Sequence, residues 1–233
     1  MPTPPKKKLS SVPAQEARQN AVRLNFEFRY LLSLPAGYAT DRKRRWPILF
    51  FFHGRGERGR NVSRVKRHGP PKLIAQGRAF PFIVVSPQCA GGDYWWNYTA
   101  LDAFVADILR RFRVDHDRIY LTGLSMGGFA TWALAQQAPE RYAAIAPICG
   151  GGDARFAVRL RDLPVWAFHG AKDAAIPAQR TRDMIKGIKA AGGVPRMTIY
   201  PGVGHDSWTP TYENPAFYAW LLSHRRKARR IEE

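Results

Sequence analysis

The residues most able to do chemistry in this chain surround one serine. Ser125 lies in Gly123-Leu-Ser125-Met-Gly127-Gly128, directly after the apolar run Ile119-Tyr-Leu-Thr122 and before a segment carrying Phe129, Trp132, Ala133 and Leu134. A G-x-S-x-G between a strand and a helix is the signature of a nucleophile elbow, a strained turn that exposes the serine hydroxyl above a sheet. A hydroxyl is a weak nucleophile unless a base takes its proton, and His205, in the loop Pro201-Gly-Val-Gly204-His205-Asp206, follows the last expected strand. Asp173, at the end of His169-Gly-Ala-Lys-Asp173, lies between serine and histidine in sequence and is expected to orient the base. Asp153 and Asp206 are its competitors. The chemistry would be acyl transfer, with a developing oxyanion held by the Met126 N–H and by the Arg55 N–H of His53-Gly-Arg-Gly-Glu-Arg-Gly59, Gly56 being the next choice. His53 is expected to hold that loop rather than act as a base.

Positioning these groups requires strand ends that converge. Short, almost continuously apolar runs at 48–53, 82–88, 118–123, 143–149 and 165–169, with a further strand at 196–200, alternate with helical patterns at 100–112, 125–137, 179–190 and 215–223. That alternation predicts an α/β fold, and apolar runs without a polar face predict parallel strands covered by helices on both sides. The sheet is expected to have about eight strands, residues 24–34 opening it as an antiparallel hairpin. One domain over 21–224 is expected, with a flexible tail at 1–20 and a basic tail at 225–233. Only residues 150–163 separate two strands where a lid could be inserted, so no large lid is expected.

Composition narrows the function classes. The chain has 37 Lys and Arg against 18 Asp and Glu, a net charge of +19. No helix-turn-helix, zinc-finger spacing or basic zipper accompanies that charge, so specific nucleic-acid binding is not expected and the surface reads as solvated basic groups. The longest apolar run, Pro47–Phe52, is far too short to span a membrane. The N-terminus lacks the apolar stretch of a signal peptide, which makes a cytoplasmic location the expectation. The two cysteines, Cys89 and Cys149, are expected to be buried free thiols, and no metal or other cofactor is expected.

Taken together, His53-Gly-Arg-Gly-Glu-Arg-Gly, Ser86-Pro-Gln-Cys89 with Trp95-Trp96, the elbow block 118–128, Pro147-Ile-Cys-Gly-Gly-Gly152, His169-Gly-Ala-Lys-Asp173 and His205-Asp-Ser-Trp208 resemble the α/β-hydrolase superfamily. The resemblance is to its esterase, phospholipase/carboxylesterase and "predicted peptidase" group, which includes prolyl oligopeptidase-like and dienelactone hydrolase-like members. It covers nearly all of the chain beyond the N-terminal tail. It implies hydrolysis of a small-molecule carboxylic ester through Ser125, Asp173 and His205, with peptidase and thioesterase or lysophospholipase activity as alternatives and a non-catalytic binding protein as a more distant one. An open pocket edged by Trp95, Trp96 and Trp208, suited to short acyl or aryl esters, is the accompanying expectation. Oligomeric state is left open.

Overall fold

The computed structural model describes residues 26–90 and 95–226. Its centre is a sheet of seven strands in the order β1-β3-β2-β4-β5-β6-β7. These are β1 (Arg29–Ser33), β2 (Trp46–Phe52), β3 (Ile83–Gln88), β4 (Val114–Leu124), β5 (Ala144–Ile148), β6 (Trp166–Gly170) and β7 (Arg196–Tyr200). All neighbours pair in parallel except β1, which runs antiparallel to β3. Six helices accompany them: α1 (Gly69–Ala75), α2 (Tyr98–Arg111), α3 (Met126–Gln137), α4 (Gln179–Ala190), α5 (Trp208–Glu213) and α6 (Pro215–Leu222).

The continuously apolar strands are explained by their two-sided burial. On β2, Ile48, Phe50 and Phe52 enter one apolar layer with Leu101, Val105 and Ile108 of α2 and Trp132 of α3. The alternate residues Leu49 and Phe51 enter a second layer with Phe217, Tyr218 and Leu221 of α6. Side chains alternate across a strand, so a strand with helices on both faces has no position left for a polar residue.

One expectation needs correction. The seven described strands agree with a sheet of about eight, but residues 26–34 form no hairpin: β1 pairs with β3, not with its neighbour in sequence. Only partly buried, β1 suits an edge, whereas wholly buried β2 must lie inside the sheet. At the start of the expected basic tail, Arg225 reaches Asp115 and Asp117, and the Arg226 N–H donates to the Asp117 carbonyl at 2.8 Å. The remaining tail residues, 1–20 and 227–233, lie outside the described residues.

The lid expectation agrees with the connection from β5 to β6. Its 3-10 segment Ala154–Leu160 buries Ala157 and Leu160 in the α3 and α4 layer rather than extending over the sheet end. No helix among the described residues is long and apolar enough to cross a membrane.

Candidate active site

The chain builds β2 and β3 toward one edge and then returns to place β4 on the other side of β2. The carboxyl ends of β2 and β4 therefore flank a topological switch point, where open α/β sheets leave a crevice. β4 delivers Ser125 to that crevice, and β2 delivers the turn that begins at His53. Ser125 is held at φ 53, ψ −116, a strained conformation for a residue with a side chain. The flanking glycines make the turn possible. A Cβ on Gly127 would lie 1.9 Å from the Phe52 carbonyl oxygen, and one on Gly123 would lie 2.3 Å from the Gly127 carbonyl oxygen. Backbone atoms leave no room for either.

The base and acid arrive on loops after β7 and β6, which are bound together where the Lys172 N–H donates to the Val203 carbonyl at 2.9 Å. His205 Nε2 lies 3.0 Å from Ser125 Oγ, and His205 Nδ1 lies 2.7 Å from Asp173 Oδ2. A nitrogen facing a carboxylate carries the proton, which leaves Nε2 as the acceptor for the serine hydroxyl. The second oxygen of Asp173 accepts the N–H groups of Ala175 and Ile176, each at 2.9 Å. Burial opposes the charge on Asp173, but the hydrogen bonds from His205 and from the Ile176 N–H outweigh it and hold the carboxyl below its ordinary range. The competing acids are engaged elsewhere: Asp153 pairs with Arg155 at 2.6 Å, and Asp206 accepts the Thr209 N–H at 3.0 Å.

Arg55 opens a 3-10 turn, Arg55–Glu57, while Met126 opens α3. First-turn N–H groups have no partner inside their own helix, so both, and Gly56 behind Arg55, are of the kind that can face an oxyanion. A Cβ on Gly54 would come within 3.6 Å of Ser125 Cβ, which puts this loop against the nucleophile. His53 fixes the loop from below. Its Nδ1–H donates to the Gly54 carbonyl at 2.6 Å and its Nε2 accepts the Cys89 N–H at 2.9 Å, while burial drives its pKa down to about 4.

The three tryptophans separate. Trp208 stands edge-on to His205, ring centres 5.2 Å apart, and its Nε1–H donates to His68 Nδ1. Trp95 is 43% exposed, packs against Phe129 and donates to the Tyr98 hydroxyl. Trp96, expected to edge the pocket, does not: it is 3% exposed and wedged between Phe52 and His53. An open groove of about 420 Å³ instead begins one turn along α3 from Ser125, with Tyr98, Phe129, Gly151 and Arg180 among its walls.

Several neighbours of the triad carried no sequence signal of that role. Cys149, at φ 39, lies 3.3 Å from the Ser125 N–H through its sulfur. Both cysteines are buried, as expected. Ligand atoms of Cys149, Asp173 and His205 fall within 4.8 Å of one another. Burial pushes the Cys149 thiol up to about 12, so it stays protonated. Glu57, 3% exposed, lies beside His68 and Arg67 under the 53–59 loop.

The bifunctional acetylxylan esterase/xylanase XynS20E of Neocallimastix patriciarum is 26% identical over 184 residues, covering 75% of this chain and 26% of that protein. The endo-1,4-β-xylanase/feruloyl esterase of Xylanibacter ruminicola is 26% identical over 196 residues, covering 76% and 27%. This chain thus spans about a quarter of the length of these curated relatives. Among solved structures, a thermostable esterase superposes with a TM-score of 0.72 at 31% identity, covering 84% of this chain and 59% of that one. The α/β-hydrolase fold shared with it agrees with the sheet order and with the elbow. The model of the dienelactone hydrolase family matches residues 96–218, more than half of the chain and the part that carries Ser125, Asp173 and His205, and the chain belongs to that family.

Proposed function

We propose that this chain hydrolyses small carboxylic esters with short acyl or aryl groups through an acyl-enzyme on Ser125. The observation that carries this is the unbroken hydrogen-bonded line from Asp173 through His205 to a serine on a strained turn. His205 takes the Ser125 proton as Oγ attacks the ester carbonyl, and Asp173 stabilises the imidazolium that forms. The oxyanion is met by the N–H groups of Met126 and Arg55. His205 then protonates the leaving alcohol, and a water activated by the same nitrogen releases the acid. The groove beside Phe129 and Tyr98 offers aromatic walls for an acyl or alcohol group, with Arg180 available to an acidic substituent. The names of the two xylan-related proteins support acetyl or feruloyl esters of carbohydrate as the natural class.

The test is direct. A fluorophosphonate should label the wild type and not Ser125→Ala, and hydrolysis of 4-nitrophenyl acetate should fall about 10⁵-fold or more in that variant. Faster turnover of the palmitate than of the acetate would contradict the short-acyl preference, and retained labelling in Ser125→Ala would overturn the nucleophile.

A further inference from the structure

The wholly buried His169 has no part in the mechanism above, yet it lies against the acid of the triad. Its Nε2 is 3.2 Å from Asp173 Oδ2, the same oxygen that takes the His205 Nδ1–H, and 2.9 Å from the Ile176 carbonyl. An imidazole nitrogen that faces two acceptors must carry a proton. On the other side of the ring, Nδ1 is 2.8 Å from Thr181 Oγ1, and that hydroxyl is also 3.0 Å from the Gly150 carbonyl. The single hydroxyl proton serves Nδ1 and Gly150 in turn. Gly150 packs in its turn on Gly128 and the Phe129 N–H at the start of α3, where a Cβ would lie 2.6 Å from the Gly128 carbonyl carbon.

We propose that His169 is a positioning residue for ester hydrolysis, donating its Nε2–H to Asp173 and tying the acid loop, through Thr181 and Gly150, to the helix that presents Ser125. It touches no substrate. Its effect passes through Asp173, whose Oδ2 is shared between two imidazoles and is thereby fixed in the plane that His205 needs. The polar groups around His205 are Asp173, His169, the Cys149 thiol and the Ser125 hydroxyl, with Asp206 next in sequence. Removing the His169 ring removes its contacts with Asp173, the Ile176 carbonyl and Thr181 together.

The inference rests on Asp173 serving as the triad acid. Fluorophosphonate labelling of the wild type tests that chemistry separately, so failure to label would sink the mechanism, whereas normal labelling with unaffected His169 variants would sink this inference alone. His169→Leu removes the donor and keeps the bulk; His169→Gln returns an N–H to the same side. Per fluorophosphonate-titrated site, kcat on 4-nitrophenyl acetate should fall about 30-fold in His169→Leu with KM unchanged, the scale of loss from a small misplacement of catalytic groups. His169→Gln should recover kcat to within about threefold of wild type. Wild-type kcat in His169→Leu, or no recovery in His169→Gln, would overturn the proposal. Should His169→Leu fail to fold, ¹⁵N-histidine spectra of the wild type decide it. A neutral Nε2–H tautomer at His169 is expected, and an Nδ1–H tautomer overturns the assignment.

Discussion

The two ends of the parallel sheet are built from the same strands and differ in almost every other respect. At the carboxyl end, buried polar groups converge: Asp173, His169, Cys149 and His53 are all shielded and all but the thiol are hydrogen-bonded on both sides. At the amino end an open cavity of about 710 Å³ lies among Pro139, Tyr142, Leu163 and Arg225. Its charges are surface pairs such as Arg225 with Asp115 and Arg226 with Asp117. Cavity size therefore does not locate the chemistry here. Strand direction does, because loops at the carboxyl ends are the ones that meet at the switch point.

The sharpest way to break that contrast is to disarm one polar group at the carboxyl end without changing its shape. Asp173→Asn keeps the volume but can present an amide N–H to His205 Nδ1, favouring the tautomer with its proton on Nε2. That form cannot accept the Ser125 proton, so kcat should fall about 10⁴-fold while thermal stability changes little by comparison. Steady-state kinetics with calorimetry separate the two effects. A loss below tenfold would mean that Asp173 does not set the tautomer of the base.

His53 turns the same end into a stability measurement. In the native state its pKa lies at about 4, because burial excludes the cation and Nε2 is occupied by the Cys89 N–H. The unfolded chain binds that proton near pH 6.5. Between these values the unfolded state holds more protons, so the His53 contribution is complete above pH 6.5 and declines as pH falls toward 4, by about 3 kcal/mol. Urea unfolding at pH 7 and pH 4.5 should show this decline in the wild type. The decline should be smaller in His53→Gln, which has no such titration; equal pH dependence in the two proteins would contradict it.

Much of this organisation was visible in the amino-acid order because of how parallel strands are buried. A strand covered on both faces is a run of apolar residues with nothing polar inside it, and β2, expected at 48–53, occupies Trp46–Phe52 and is buried throughout. The line of the triad was legible for a related reason: G-x-S-x-G has a steric cause, and the acid and base each follow a strand. What stayed hidden was long-range. Trp95 and Trp96 are adjacent and equally aromatic, yet one is exposed beside Phe129 and the other fills the space under His53, a choice made by β2 and not by neighbouring residues. The partners of His169 come from residues 173, 176 and 181, and Thr181 reaches on to Gly150, a set that no periodicity connects. Helices α1 and α5, at 7 and 6 residues, are too short to leave a pattern, and the edge position of β1 depends on a pairing chosen across the fold.

The amino end should give the smallest effects, and the Arg225 and Arg226 pairs define how small. Both side chains are about half exposed and their partners Asp115 and Asp117 sit at the start of β4, at the opposite end of the strand from the one that leads into Ser125. Exposed ion pairs exchange one hydrated state for another and typically contribute about 0.2–1 kcal/mol. Two features temper even that loss in Arg225→Ala/Arg226→Ala. The Arg226 backbone N–H bond to Asp117 survives the substitution, and the Tyr120 hydroxyl still donates to the His224 carbonyl at 2.8 Å. The double variant should therefore lose no more than about 1 kcal/mol in urea unfolding, the loss shrinking as salt is raised, with kcat/KM on 4-nitrophenyl acetate unchanged. A tenfold fall in kcat/KM would show that the two ends of the sheet are coupled through β4, and the division between a chemical end and a solvated one would have to be given up.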